Sequence, residues 1–214
     1  MPLKNDLFPT PVEERLDDGA ILLRGFAADL VPDLWADVQA IAAVAPFRQL
    51  ATPGGHVMSV AMTNCGAAGW MSDRRGYRYE ILDPLTRAPW PAMPPVFSAL
   101  AGRAAAAAGF ADFAPDVCLI NRYVPGAKMT LHVDHDEKDF AAPIVSVSLG
   151  LPAVFLWGGR ARADKARRVP LASGDVVVWG GTARRHYHGV LPLKEGVHEG
   201  LGAQRINLTF RKAL

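Results

Sequence analysis

After Pro115 the chain breaks into eight short runs of strand character, about 117–124, 128–134, 144–150, 153–157, 168–172, 175–180, 186–190 and 204–211, divided by Pro-Gly, Gly-Gly and Ser-Gly turns. Eight such strands after a helical N-terminal part predict an α+β chain, mainly β. Its core is expected to be a double-stranded β-helix, the jelly roll, with flanking N-terminal helices. Upstream, the first twenty or so residues are rich in Pro, Asp and Glu and read as an extended arm. Ala20 to Phe26 reads as a strand. Pro32 and Asp33 then open a helix through Trp35, Val38, Ile41 and Ala42 that closes before Pro46. From Phe47 to about Tyr79 the segments are short, with a turn at Pro53-Gly54-Gly55 and alternation over Val57 to Met62. Prolines 84, 89, 91, 94 and 95 make an irregular crossing, and an Ala-rich helix from Pro95 to Ala108 is stopped by Gly109. At 214 residues this amounts to one domain in three parts: 1–46, 47–92 and 93–214.

The last run is the most informative for chemistry. In Gln204-Arg205-Ile206-Asn207-Leu208-Thr209-Phe210-Arg211 the odd positions are Arg, Asn, Thr and Arg, and the even ones from Ile206 on are apolar. Period two puts both arginines on one face, opposite a face that must pack on protein. The polar face can be solvent-exposed. If it instead lines a jelly-roll interior, a buried arginine there needs a carboxylate or phosphate partner, bidentate for preference. Asn121 and Tyr123 likewise share one face of their run. Two arginines, an amide and a phenol would suit a small dicarboxylate.

His132-Val133-Asp134-His135-Asp136-Glu137 concentrates ionisable groups between apolar runs. In an extended strand His132 and Asp134 point to one face. Together with a downstream imidazole they would make the two-histidine, one-carboxylate set that binds Fe(II) and leaves coordination positions open. His188, in Arg185-His186-Tyr187-His188-Gly189-Val190, is the candidate. Taken alone, the same three residues can equally be polar groups on surface loops. Asp136 should share the face of Asp134 if the strand continues that far.

Charge and cysteine content exclude several classes. A net charge of +2 does not mark a nucleic-acid binder by itself, but residues 160–168 carry five basic side chains against one acidic one. Arg74, Arg75 and Arg78 form a second basic cluster, and Arg184 with Arg185 a third. Solvated loops account for each cluster singly; a polyanionic partner would account for all three together. Cys65 and Cys118 lie far apart in the sequence and in no CxxC pattern, so neither a disulfide framework nor a zinc-thiolate site is expected. No apolar run approaches the roughly 20 residues of a membrane span, and the N-terminus has no secretory h-region. A cytoplasmic monomer without a membrane partner is expected.

These motifs resemble the AlkB-type DNA alkylation repair dioxygenases. The resemblance rests on Asn121-Arg122-Tyr123, on His132-x-Asp134 with Asp136-Glu137, on His188, and on Arg205-x-Asn207-x-x-x-Arg211. The run Met58-Ser59-Val60-Ala61-Met62-Thr63-Asn64-Cys65-Gly66 followed by Trp70 and Tyr77 adds to it. It extends from about Pro46 to Arg211 and is loose before Pro46. Val133 and His135 fill places where the family varies.

The resemblance implies an Fe(II)- and 2-oxoglutarate-dependent dioxygenase that uses O2 to demethylate N1-methyladenine and N3-methylcytosine, releasing formaldehyde and succinate. It implies His132, Asp134 and His188 as iron ligands. The distal carboxylate of 2-oxoglutarate would fall to Arg205, supported by Asn121 and Tyr123. Asn207 joins this co-substrate set, and Arg211 lies nearer the iron. It further implies that residues 47–92 hold a nucleotide-recognition lid, with Trp70 and Tyr77 stacking on an extruded base. Arg78, Tyr79, Thr52, Met58 and Arg162 are expected as neighbours, and Asp136 as the reader of the base's amino group. Alkylated single-stranded DNA, duplex DNA and RNA are the implied partners. Two other readings fit parts of the pattern. One is a hydroxylase of the same chemistry acting on a protein or small metabolite; the other is a jelly-roll module that binds a metal without turnover.

Overall fold

The structure is a computed structural model that describes residues 13–214; the first twelve residues of the expected arm lie outside the described part. Strands β1 (Glu13–Asp17) and β2 (Ala20–Leu23) precede helix α1 (Val31–Val44). Then come β3 (Arg48–Ala51), β4 (Val57–Gly66), β5 (Gly69–Asp73), β6 (Gly76–Glu80) and helix α2 (Pro95–Ala107). The remaining strands are β7 (Val117–Tyr123), β8 (Met129–His132), β9 (Ile144–Gly150), β10 (Ala153–Trp157), β11 (Arg167–Leu171), β12 (Val176–Trp179), β13 (His188–Val190) and β14 (Arg205–Arg211). All eight runs expected after Pro115 are strands.

An eight-stranded antiparallel sheet, ordered β1-β2-β12-β9-β14-β7-β4-β3, faces a four-stranded one, β11-β10-β13-β8. The β5–β6 hairpin forms a sheet of its own. The large sheet buries both faces, one against the helices and the other, which also carries a polar patch, against the small sheet. On one face, Cys118, Ile120, Val145, Val147, Ile206, Leu208 and Phe210 pack under the helices, against Leu34, Val38 and Ile41 of α1 and Phe97, Leu100 and Ala104 of α2. On the other, Leu119, Tyr123, Val177 and Trp179 meet Phe155, Trp157, Val169 and Val190 of the small sheet. Two antiparallel sheets packed around an interior make this the jelly roll the strand pattern predicts.

Strand β14 lies between β7 and β9, and all seven of its residues are buried. Its polar face therefore lines the barrel interior, which removes the solvent-exposed alternative. Register does the rest. Asn207 is level with Asn121 and Ser148, Arg205 with Tyr123, and Thr209 with Ser146, so cross-strand neighbours bring the polar side chains of three strands onto one patch. Gly189 lets β13 close on β8: a Cβ there would sit 2.7 Å from the Met129 carbonyl oxygen. That close approach sets His188 directly opposite His132.

Three sequence expectations need correction. Glu13–Asp17 is no free arm but an edge strand, tied down by Glu14, whose carboxylate takes Arg24 at 2.8 Å and also Arg167. Strand β2 stops at Leu23, because Gly25 turns with φ +62° and its amide is taken by Asp175. Strand β8 ends at His132 rather than near Asp134; the Asp134 carbonyl is turned to Arg184 instead of to a ladder. Cys65 and Cys118, distant in sequence, are direct cross-strand partners on β4 and β7, both buried as free thiols. The proline-rich crossing is pinned where Arg48 forks onto Asp83 through two 2.6 Å bonds and lies over Trp90. Among the described residues no helix is long and apolar enough to cross a membrane.

Candidate metal centre and co-substrate cavity

His132 closes β8, His188 opens β13, and Asp134 sits two residues past His132 where the chain leaves the sheet. Their ligand atoms lie within 4.8 Å of one another, with Nε2 of each histidine 3.7 Å from an Asp134 oxygen. Each Nδ1 faces a carbonyl, Thr130 at 2.9 Å for His132 and His186 at 3.1 Å for His188. A carbonyl accepts only, so Nδ1 carries the proton and both Nε2 lone pairs face Asp134.

Electrostatics favours the same ionisation states. Burial, aided by His132, pulls His188 down to about 3, so its imidazole is neutral near pH 7. Burial alone would raise the Asp134 carboxyl, but Arg211, His188 and His132 outweigh it and hold it well below the usual carboxylate range. Two imidazoles offering Nε2 and one carboxylate make a nitrogen- and oxygen-donating set suited to Fe(II). The depressed histidine has a consequence for the metal-free protein. The unfolded chain takes up a proton at His188 near pH 6.5, the folded one only near 3. Stability should thus be full above pH 6.5 and fall as pH drops through that window, by up to about 1.4 kcal/mol per pH unit. Melting temperatures of metal-free wild type and His188→Ala between pH 7.5 and 5 check this; equally pH-dependent curves would contradict it.

The three ligands share a cavity of about 450 Å³ of atom-free space, part of it open to solvent, with Asn121, Tyr123, Arg205, Asn207 and Arg211. Leu119, Met129, Phe155 and Trp179 supply its apolar wall. Asn207 is saturated: it donates to Ser146 Oγ and the Val147 carbonyl, and accepts from Asn121 and Thr209. It serves as the floor's brace. Arg205 is the opposite case. Its guanidinium is buried over the Tyr123 ring and donates from Nη2 to Ser148 Oγ, while among the described residues Nε and Nη1 have no partner. Burial pulls its pKa down, and Tyr123 offsets part of that. A buried cation with two idle donors and no carboxylate beside it is built for an incoming anion. Asn121 Oδ1 is idle as well.

Arg211 is already engaged. Nη2 donates to Asp134 Oδ2 at 2.9 Å, and Nε lies 3.2 Å from Glu137 Oε1. Burial opposes its charge, but Asp134, Tyr79 and Glu137 hold its pKa well above the ordinary value. Glu137, buried, also accepts from Tyr79 at 2.7 Å and from Arg184 at 2.8 Å. This network ties the β5–β6 hairpin, the loop after β8 and the turn before β13 to a metal ligand. Sequence patterning counts Glu137 among the motif residues and Arg184 in a basic cluster, but gives neither a part beside the metal. It also passes over Ser146 and Ser148, although their alternation in an otherwise apolar strand is a usable signal.

The residues expected at an extruded base lie outside this cavity. Trp70 and Tyr77 are stacked on each other, 5.5 Å between centroids and 15° between planes, instead of standing apart to bracket a base. Tyr79 is drawn inward to Glu137, and burial pushes its phenol up. Arg78 lies on the opposite face of the hairpin from Tyr77 and Tyr79, forked onto Asp73 and bonded to Glu80. Asp136 does not continue a strand from Asp134; its Oδ2 accepts the Trp70 indole N–H at 2.8 Å. Thr52 caps the β3–β4 turn by accepting the His56 amide, Met58 packs partly on the barrel core, and Arg162 is exposed on the loop between β10 and β11.

Known proteins resemble the chain over most of its length. A family model described as the 2OG-Fe(II) oxygenase superfamily matches residues 19–211. Over 210 residues, 97% of either chain, the sequence is 56% identical to the alpha-ketoglutarate-dependent dioxygenase AlkB of Salmonella typhimurium, and equally to that of Escherichia coli. The solved structure of OsALKBH1 superposes with a TM-score of 0.83 at 31% identity, covering 94% of this chain and 100% of that one.

Proposed function

Since the chain belongs to the 2OG-Fe(II) oxygenase superfamily, in its AlkB-type branch, we propose that it repairs alkylated nucleic acid by oxidative N-demethylation at the cavity between the two sheets. It is an Fe(II)- and 2-oxoglutarate-dependent dioxygenase. The observation that carries the site assignment is the pairing, in one cavity, of a His-Asp-His cluster with a buried arginine that has two idle donors.

In this reading His132, Asp134 and His188 hold the iron, and Arg205 receives the far carboxylate of 2-oxoglutarate, with Tyr123 beneath it and Asn121 beside it. Bound there with O2, the iron and co-substrate supply the oxidation of an N-methyl group to a hydroxymethyl that leaves as formaldehyde, while 2-oxoglutarate becomes succinate and CO2. The protein's part is positioning. Arg211 fixes Asp134 Oδ2, which lies 3.7 Å from His188 Nε2, and leaves Oδ1 facing His132 Nε2 at 3.7 Å. The two backbone carbonyls keep both imidazoles in the metal-binding tautomer. Phe155, Trp179 and Leu119 limit water at the reacting centre. Trp70 and Tyr77, already stacked, would offer one flat platform to an extruded base instead of two jaws.

Single-stranded DNA methylated at adenine N1 or cytosine N3 is the preferred substrate in this account, because no flipping energy is spent. Duplex DNA and RNA should be slower alternatives, acted on by a cytoplasmic monomer. The test is formaldehyde release with methylated single-stranded DNA, duplex and RNA, each with and without Fe(II) and 2-oxoglutarate. Release that needs all components supports the reading; turnover indifferent to every methylated nucleic acid points to a protein or metabolite hydroxylase.

Asp136 should tune lesion choice. Trp70 holds its carboxylate beside the stacking platform, and N1-methyladenine and N3-methylcytosine are cationic with an amino donor next to the methylated nitrogen. Asp136→Asn should lower their preference over neutral methylguanine or methylthymine by roughly tenfold, from about 1.5–3 kcal/mol of charged hydrogen bond. Rates on both lesion classes check it; equal loss on both would remove Asp136 from base reading.

A further inference from the structure

Beyond the cavity, Phe140, Arg160, Gly181, Thr182, Arg184 and Arg185 line a second hollow with about 790 Å³ of atom-free space, open to solvent. The Phe140 ring carries two guanidiniums, those of Arg184 and Arg185, each 5.0 Å from its centroid. Their charges have different fates. Arg184 is buried and spent on Glu137 and the Asp134 carbonyl, each at 2.8 Å. Arg185 and Arg160 are exposed, and among the described residues neither has a carboxylate within 4.0 Å. Arg160 Nη2 is steadied along the wall by the Thr182 carbonyl at 3.2 Å.

Two acids of adjoining segments have other partners. Asp18 accepts from Arg15 at 2.9 Å and from the Thr182 hydroxyl at 3.2 Å, and Asp164 accepts the Ala161 amide at 2.9 Å. The hollow thus presents two uncompensated guanidiniums, both oriented by neighbours, one on an aromatic ring and one on a carbonyl. Arg75 and Arg78, by contrast, are paired within their own hairpin. The hollow also adjoins the metal centre, since Arg184 lines it and bonds the carbonyl of Asp134. The part of it that water can occupy, about 430 Å³, is within the range of small-ligand sites, about 300–1,000 Å³.

We propose that this hollow is a phosphodiester-binding subsite for the strand whose modified base enters the metal cavity, with Arg160 and Arg185 each gripping a backbone phosphate. The proposal rests on the nucleic-acid reading above. Guanidiniums fork onto phosphate oxygens, and preorganised ones lose less freedom in doing so. Such contacts carry no sequence information; they set register and displace counterions.

The experiment is the salt dependence of binding of an unmodified labelled oligothymidylate to the full chain, read as the slope of log K against log salt. Arg160→Ala and Arg185→Ala should each make the slope shallower by about 0.7, and the double variant by about 1.4. Arg103→Gln, on α2 across the large sheet, makes the same change of charge and should leave the slope at its wild-type value. A double variant with the wild-type slope overturns the proposal. So does an equal change from Arg103→Gln, or a wild type that does not bind the oligonucleotide. Melting temperatures within a few degrees of wild type show that the exposed substitutions leave the fold in place. Failure of the parent reading shows separately, as no formaldehyde from methylated substrates.

Discussion

His132→Ala is expected to reduce 2-oxoglutarate turnover by at least about a hundredfold while leaving the protein folded. Outer-shell partners of metal ligands cost 10- to 100-fold when removed, so loss of a ligand should exceed that range. The side chain suits the test because it is 37% exposed and, among the described residues, hydrogen-bonds only through Nδ1 to the Thr130 carbonyl. Truncation therefore opens no buried cavity, and the stability change should stay within about 1 kcal/mol. Asp134→Ala is a poorer probe, since it would also strip Arg211 of a 2.9 Å partner in a buried site. Steady-state succinate formation and a thermal melt check the prediction together. Wild-type turnover in His132→Ala would remove it from the ligand set.

Arg205→Met should have an effect of similar size on a different quantity, and of opposite sign in two states. With the guanidinium gone, 2-oxoglutarate loses a charge-assisted pair worth about 1.5–3 kcal/mol, so its apparent affinity should fall roughly 10- to 100-fold. Without co-substrate the same substitution should be neutral or stabilising by about 1–4 kcal/mol, because it replaces a buried cation with idle donors by an apolar chain. The rise in melting temperature that saturating 2-oxoglutarate gives wild type should largely disappear. The two halves check each other. A variant that is destabilised without co-substrate yet binds it normally would mean that Arg205 serves the fold and not the ligand.

Much of this architecture is legible in the amino-acid sequence. The eight runs after Pro115 become strands β7 to β14, since alternation and Pro or Gly punctuation are local properties of the chain. Even the decisive question about β14, interior or solvent, is half answered by its pattern. Ile206, Leu208 and Phe210 must pack on something, but only the helices covering that face show that the arginines point inward. The metal cluster is within reach of the sequence because His132 and Asp134 are neighbours and His188 has few competitors.

Other features depend on contacts that period-two reasoning does not see. Glu137 gathers Tyr79, Arg184 and Arg211 from three distant segments, and nothing in its flanking residues announces burial. The expected place of Asp136 fails because it extends a strand that ends at His132. Arg78 fails for a different reason. The hairpin β5–β6 alternates, so period two alone sets Arg78 opposite Tyr77 and Tyr79, where it meets Asp73 and Glu80. The stack of Trp70 on Tyr77 requires the register Trp70 to Tyr79 and Ser72 to Tyr77, which a Gly76 turn only suggests.

The central claim is that one cavity couples 2-oxoglutarate oxidation to removal of a methyl group from a base. The most direct measurement is product stoichiometry: wild type with Fe(II), 2-oxoglutarate, O2 and an oligonucleotide bearing N1-methyladenine, with succinate, formaldehyde and restored adenine quantified in the same samples. The account predicts equal amounts of all three. Succinate formed without matching formaldehyde and adenine would contradict it.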